Sequence, residues 1–95
     1  MQIHYIVHGV VQGVGYRSFV ASAALRHGIT GFVKNLPEGS VEILAQGNTA
    51  SLKDFEDEIL HYELGGAEIS EVEKSTGNPD VVGVGKTYDK FVIEH

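Results

Sequence analysis

The chain has 95 residues, 42% of them hydrophobic, which fits one domain around one small core. It contains no cysteine, so disulfides and thiolate chemistry are excluded, and its 13 acids against 7 bases give a net charge of −6 that argues against nucleic-acid and anionic-membrane partners. No apolar run approaches the roughly 20 residues of a membrane helix, and Met1-Gln2-Ile3-His4 lacks the basic and long apolar regions of a secretory signal, so a reducing cytoplasm is the expected compartment.

Residues 2–11 alternate, with Ile3, Tyr5 and Val7 on one face and His4, Ile6 and His8 on the other, and predict a strand with one well-buried face. Val11-Gln12-Gly13-Val14-Gly15-Tyr16-Arg17 follows. Its glycines allow a tight turn and close approach of backbone to a ligand. From Tyr16 the period becomes helical: Tyr16, Phe19, Val20, Ala23, Ala24 and His27 share a face, and Gly28 is placed to end the helix. Residues 30–35 predict a short strand, Pro37-Glu38-Gly39 a turn, and Val41 to Ala45 the return strand of a hairpin.

Asn48 or Thr49 can cap a second helix, with Leu52, Phe55, Ile59 and Leu60 as its buried stripe and Lys53–Asp57 as an i, i+4 pair on its wet side. Gly65-Gly66 is the expected end of that helix. Ala67 to Ser75 predicts a strand, Thr76 to Gly85 a loop or irregular hairpin tip, and Lys86 to Ile93 a last strand with Phe91 and Ile93 inward. The order β-α-β-β-α-β-β predicts an α+β protein: a ferredoxin-like, split βαβ sandwich with a mostly antiparallel five-stranded sheet and two helices on one face. Strand order is not readable from this pattern.

Charge is unevenly spread. Residues 1–37 contain no Asp or Glu, and Arg17, Arg26 and Lys34 give them +3. All 13 acids lie from Glu38 onward, against Lys53, Lys74, Lys86 and Lys90, giving −9. The glycine turn therefore lies in the positive third of an acidic chain, where an anion meets no carboxylate close in sequence. A helix start beside such a turn offers unpaired N–H groups and the positive end of a dipole, and Arg17 adds a donor fork that matches phosphate oxygens. The turn lacks the Gly-Lys-Ser/Thr ending of a nucleotide P-loop and is too short for the dinucleotide fingerprint, so a terminal phosphoryl group suits it better than a nucleoside triphosphate. Asn35 ends a strand at a turn, where its amide can orient a ligand or satisfy turn backbone; the residues alone leave both open. Gln12 is likewise open between contacting phosphate and holding the loop.

Two longer runs make a resemblance specific. Gly9-Val10-Val11-Gln12-Gly13-Val14-Gly15-Tyr16-Arg17 resembles the first signature of the acylphosphatase family. Gly31-Phe32-Val33-Lys34-Asn35 with Gly39, Val41 and Gly47 resembles the second, at the expected spacing and in the expected order. The resemblance covers nearly the whole chain as a single domain, residues 1–95. It implies hydrolysis of the carboxyl–phosphate bond of small acyl phosphates to a carboxylate and inorganic phosphate, without metal or cofactor; a monomer is the separate expectation for a chain of this size. Arg17 and the loop at Gln12, Gly13, Val14, Gly15 and Tyr16 would then bind the phosphoryl group, and Arg17 and Asn35 would be the catalytic pair, with Asn35 orienting water. Two departures stand out: Tyr16 replaces the more usual Phe, and Gly65-Gly66 stands where Gly-Pro is usual. The five histidines (His4, His8, His27, His61, His95) show no ligand spacing, so no metal site is expected. Two other classes share this scaffold: a non-catalytic anion-binding domain, and an RNA-binding module, which the acidic charge and the lack of a basic stacking strand disfavour.

Overall fold

In a computed structural model, which describes residues 1–62, 64–76 and 87–94, the alternating N-terminal segment forms strand β1 (Gln2–Val10). Its odd residues Ile3, Tyr5 and Val7 are buried in the main core. Helix α1 (Tyr16–His27) follows the glycine turn and stops at Gly28, whose left-handed φ of 68° lets Ile29 N–H close on the Ala24 carbonyl at 2.8 Å. Arg26 and His27 sit in its last turn, where positive charge complements the dipole. Strands β2 (Thr30–Asn35) and β3 (Val41–Gln46) form the expected hairpin. Helix α2 (Thr49–Ile59) is capped by Asn48, whose Oδ1 accepts from Ser51 N–H at 2.7 Å. Strands β4 (Glu68–Thr76) and β5 (Phe91–Glu94) complete the set.

The sheet order is β4-β1-β3-β2-β5. Three of the four pairings are antiparallel, and β5 runs parallel to β2. The chain therefore has the ferredoxin-like α+β architecture, with a mixed sheet. Both helices bury their apolar stripes on one sheet face: Val20, Ala23 and Ala24 of α1 and Leu52, Phe55 and Ile59 of α2 join Tyr5, Val33 and Ile43 in one cluster. Phe91 and Ile93 pack against that cluster, as the alternation of β5 predicts. The opposite face is not simply wet. Leu44 and Phe32 are buried there, the Tyr88 ring lies 6.1 Å from Phe32, and Tyr88 N–H donates to Gln46 Oε1 at 3.0 Å.

Two expectations need correction. β4 and β5 occupy opposite edges of the sheet, so they do not form a hairpin; most of the Thr76–Gly85 segment and the start of the Lys86–Ile93 strand lie outside the described residues. Helix α2 ends at Ile59 rather than at Gly65-Gly66, which instead belong to a separate 3-10 turn, Leu64–Gly66. Side chains close the helix early. His61 Nδ1 meets the Asp57 carbonyl and Tyr16 hydroxyl donates to the Ile59 carbonyl at 2.9 Å, satisfying acceptors that a longer helix would have used.

The helices are also joined by charge. Arg26 of α1 lies against the Glu58 carboxylate of α2, at 2.8 Å from Oε2, and His27 Nε2 approaches the same oxygen at 3.3 Å. The hydrogen bond from Arg26 is the main reason the Glu58 carboxyl titrates below its ordinary value of 4.5. A lowered carboxyl pKa stabilises the fold above the unfolded value and loses that contribution as pH falls through the folded value. Glu58→Gln should therefore lower Tm at neutral pH by an amount worth at most about 1 kcal/mol, because the pair is solvent-screened. Thermal melts of both proteins should converge as pH falls well below 4.5. A gap that persists unchanged in acid would mean that packing rather than charge explains the difference.

Candidate functional site

The turn between β1 and α1 is built by backbone conformation. Gly13 and Gly15 hold left-handed φ values of 74° and 80°, which residues with a Cβ rarely adopt. Gly15 is also the N-cap of α1, and it has no side chain to accept from the first turn. The first intrahelical bond runs from Phe19 N–H to the Gly15 carbonyl at 3.1 Å. The N–H groups of Tyr16, Arg17 and Ser18 therefore precede the helical ladder, at the positive end of the helix dipole, with no acid in the first turn.

Arg17 and Asn35 are 18 positions apart and converge through the sheet. The parallel register sets Lys34 opposite Glu94, so the end of β5 lies beside the end of β2. Arg17 Nη1 donates to the Glu94 carbonyl at 3.0 Å, which anchors the guanidinium at that corner. A cavity of about 120 Å³ results, lined by Val11, Gly13, Gly15, Tyr16, Arg17, Ser18 and Asn35. Asn35, one of these lining residues, has a buried Oδ1 with no hydrogen-bond partner among the described residues. An acceptor left unmade in a protein interior costs about 1–3 kcal/mol, and native structures hold few of them. The Asn35 carbonyl oxygen is thus not spent on the turn.

That turn is held instead by Gln12. Its Nε2 donates to the carbonyls of Leu36 and Ser40, both at 2.8 Å, tying the glycine loop to the β2–β3 hairpin. Gln12 and Val14 stand outside the cavity walls, whereas Gly13, Gly15, Tyr16, Arg17 and Asn35 line it. The Tyr16 hydroxyl points into the core, and burial pushes its pKa far above the ordinary range, so it remains a donor to the Ile59 carbonyl. The added hydroxyl at this position thus has its own partner.

Sequence reasoning missed the groups that hold the loop from behind. Tyr62 hydroxyl donates to the Val14 carbonyl at 2.7 Å, and its ring lies 4.5 Å from Phe19 and 5.5 Å from Tyr16. Gly65 presses on the same carbonyl; a Cβ built there would stand 2.9 Å from Val14 O. Nothing near Tyr62 in sequence marks it, because its partner is 48 positions away. Gly65 gave a signal, but as a helix stop.

The other cations of the N-terminal third are occupied elsewhere. Lys34 Nζ lies 3.6 Å from Glu42, and Arg26 is on Glu58. His4 and His8 pair with Glu42 and Glu73 at 2.8 and 2.6 Å; His95 lies outside the described residues. Among the described residues no three His, Asp or Glu side chains converge as a metal site would require.

Residues 3–93 match the family model for acylphosphatase. An acylphosphatase of Bacillus velezensis is 54% identical over 55 residues, a stretch that spans 58% of this chain and 61% of that protein. One from Caldivirga maquilingensis is 38% identical over an alignment covering 94% of this chain and 96% of its own length. The crystal structure of acylphosphatase from Bacillus subtilis superposes with a TM-score of 0.81 at 30% identity, covering 99% of this chain and 98% of that one. With a family match over nearly its full length and relatives that share its fold end to end, this chain belongs to the acylphosphatase family.

Proposed function

We propose that this protein hydrolyses acyl phosphates to a carboxylate and inorganic phosphate, as a monomeric single domain in a reducing cytoplasm. The observation that carries this reading is the buried, unpaired Oδ1 of Asn35, a residue that lines the same small cavity as Arg17 and the start of α1. An anion-binding domain has no use for an unpaired acceptor on a residue of its anion site, since carbonyl and phosphate oxygens repel each other. A hydrolase does, because water can donate one O–H to that oxygen and turn a lone pair toward phosphorus.

In this reading the Arg17 guanidinium and the N–H groups at the start of α1 take the equatorial phosphoryl oxygens. They are fixed before the substrate arrives and need little reorganisation as charge develops. Asn35 holds water in line with the bond to the leaving oxygen. Water oxygen bonds to phosphorus, the bond from phosphorus to the acyl oxygen breaks, and the acyl group departs as a carboxylate that needs no proton. The water's proton passes to a phosphoryl oxygen of the substrate, so Asn35, which has no basic site at neutral pH, acts by position alone. Gln12 and Tyr62 serve as positioning residues, Gln12 on the β2–β3 turn and Tyr62 on the Val14 carbonyl.

Benzoyl phosphate should be hydrolysed at the same rate with and without EDTA. Arg17→Ala and Asn35→Ala should each lower kcat/KM by about 10²–10³-fold, as loss of one preorganised group does elsewhere. Arg17→Ala should also weaken competitive inhibition by inorganic phosphate, whereas Asn35→Ala should leave it nearly intact and lose kcat. An inert wild type, or variants at full activity, would refute the reading.

Tyr62→Phe removes one hydrogen bond behind the loop and little else. It should lower stability by about 1 kcal/mol and weaken phosphate binding, because the N–H groups of the loop are less well held. Phosphate titrations followed by fluorescence or NMR would separate the two effects. A Tm loss with unchanged phosphate affinity would confine Tyr62 to the core.

A further inference from the structure

The phosphoryl cavity is small, and a larger hollow adjoins it. Between the outer side of α1 and the edge strand β5 lies a cavity of about 630 Å³. Its walls are mainly apolar, with Leu25 and Ala21 from α1 facing Phe91 and Ile93 from β5. This volume lies within the ordinary range of small-molecule sites, about 300–1,000 Å³. Two observations tie it to the phosphoryl site. Ser18 lines both cavities. Arg17, next in sequence to Ser18, donates to the carbonyl of Glu94, next in sequence to Ile93. The hollow thus begins where the phosphoryl cavity ends and runs along α1 to Gly28, a distance of about 15 Å over ten residues. Leu25, 83% exposed, forms part of its rim.

We propose that this groove takes the acyl chain of the substrate, so that the protein favours acyl phosphates with an extended apolar chain over acetyl phosphate. The inference rests on the acyl phosphatase reading above and adds a substrate class to it. The phosphoryl cavity, about 120 Å³, is small for an extended acyl chain. Ser18 is common to both cavities, so an acyl group that leaves the phosphoryl cavity on that side meets the apolar channel between α1 and β5. Each methylene buried along that channel strengthens binding by up to about fourfold. The gain is shared by ground and transition states, because the chain does not react; it appears in KM while kcat stays nearly constant.

The test is a chain-length series of acetyl, butyryl, hexanoyl and octanoyl phosphates with the wild type and with Ser22→Trp and Ser22→Glu. Ser22 lines the groove on exposed helix surface and is not among the residues that line the phosphoryl cavity. For the wild type KM should fall by about tenfold or more from acetyl to octanoyl phosphate. Both variants should abolish that fall, one by filling the groove and the other by placing a carboxylate in it, while hydrolysis of acetyl phosphate and Tm are retained. Acetyl phosphate hydrolysed with a KM that does not change with chain length overturns the groove and leaves the activity standing. A wild type inert on all four overturns both. Equal loss on every substrate in both variants, or a groove-dependent self-association with a flat KM series, would also overturn the assignment, the latter by giving the groove to a second copy of the chain.

Discussion

A phosphate site made of main-chain N–H groups depends on the carbonyls of the same segment being held away from it. Each peptide unit in a tight turn can flip, and a flipped unit would present an oxygen to the anion. Here the restraint is the hydrogen bond from Tyr62 to the Val14 carbonyl, at 2.7 Å, between the two left-handed glycines. It draws one oxygen outward at the centre of the loop, and Gly65 packs against the same oxygen so closely that no side chain fits between. The Tyr62 ring is itself set by Phe19 and Tyr16, and Tyr16 is set by the end of α2. The loop is therefore an extension of the core by way of three aromatic rings. The Gln12 amide secures its other side to the β2–β3 turn that presents Asn35.

Electrostatics follows a similar logic, and it differs from the picture given by charge along the chain. The acid-free first third is not a positive patch in space. Folding brings Glu58 to Arg26, Glu42 to Lys34 and His4, and Glu73 to His8. The positive groups at the cavity itself are local: the Arg17 guanidinium, which donates to a main-chain carbonyl, and the N-terminal dipole of α1. Such a source falls off within the first helical turn. An overall charge of −6 can surround it without cancelling it, provided no carboxylate enters the cavity, and none of its lining residues is acidic.

The elements were legible wherever a local rule decided them. Gly28 ends α1 and Asn48 begins α2 because capping needs only adjacent residues. The inward set of β5 was readable from its alternation. Strand order was not, because pairing of β5 with β2 joins segments some 60 positions apart and leaves no local pattern. The end of α2 was misplaced for a related reason. Gly65-Gly66 is a strong local stop, but the carbonyl that closes the helix is taken by Tyr16, 43 positions away. In the site itself, Arg17, Asn35 and the glycines carry readable chemistry. Tyr62 does not: an aromatic near a helix end reads as core, and its second role lies in one hydroxyl whose partner only the fold reveals.

The size of the phosphoryl cavity then divides the site's work. A volume of about 120 Å³ is ample for a water, whose share of the liquid is about 30 Å³, beside a phosphoryl group, but small for a long acyl chain. Every group proposed to act on phosphorus, Arg17, Asn35 and the start of α1, lines that volume. The acyl group is left to surfaces that contribute nothing to charge stabilisation. Changes along the outer side of α1 or along β5 can therefore alter which acyl phosphates are held without disturbing how water meets phosphorus. The reverse does not hold. The loop shares its aromatic anchors with the core, so a change that loosens the loop also loosens the fold, and substrate range is much freer to vary than chemistry on this scaffold.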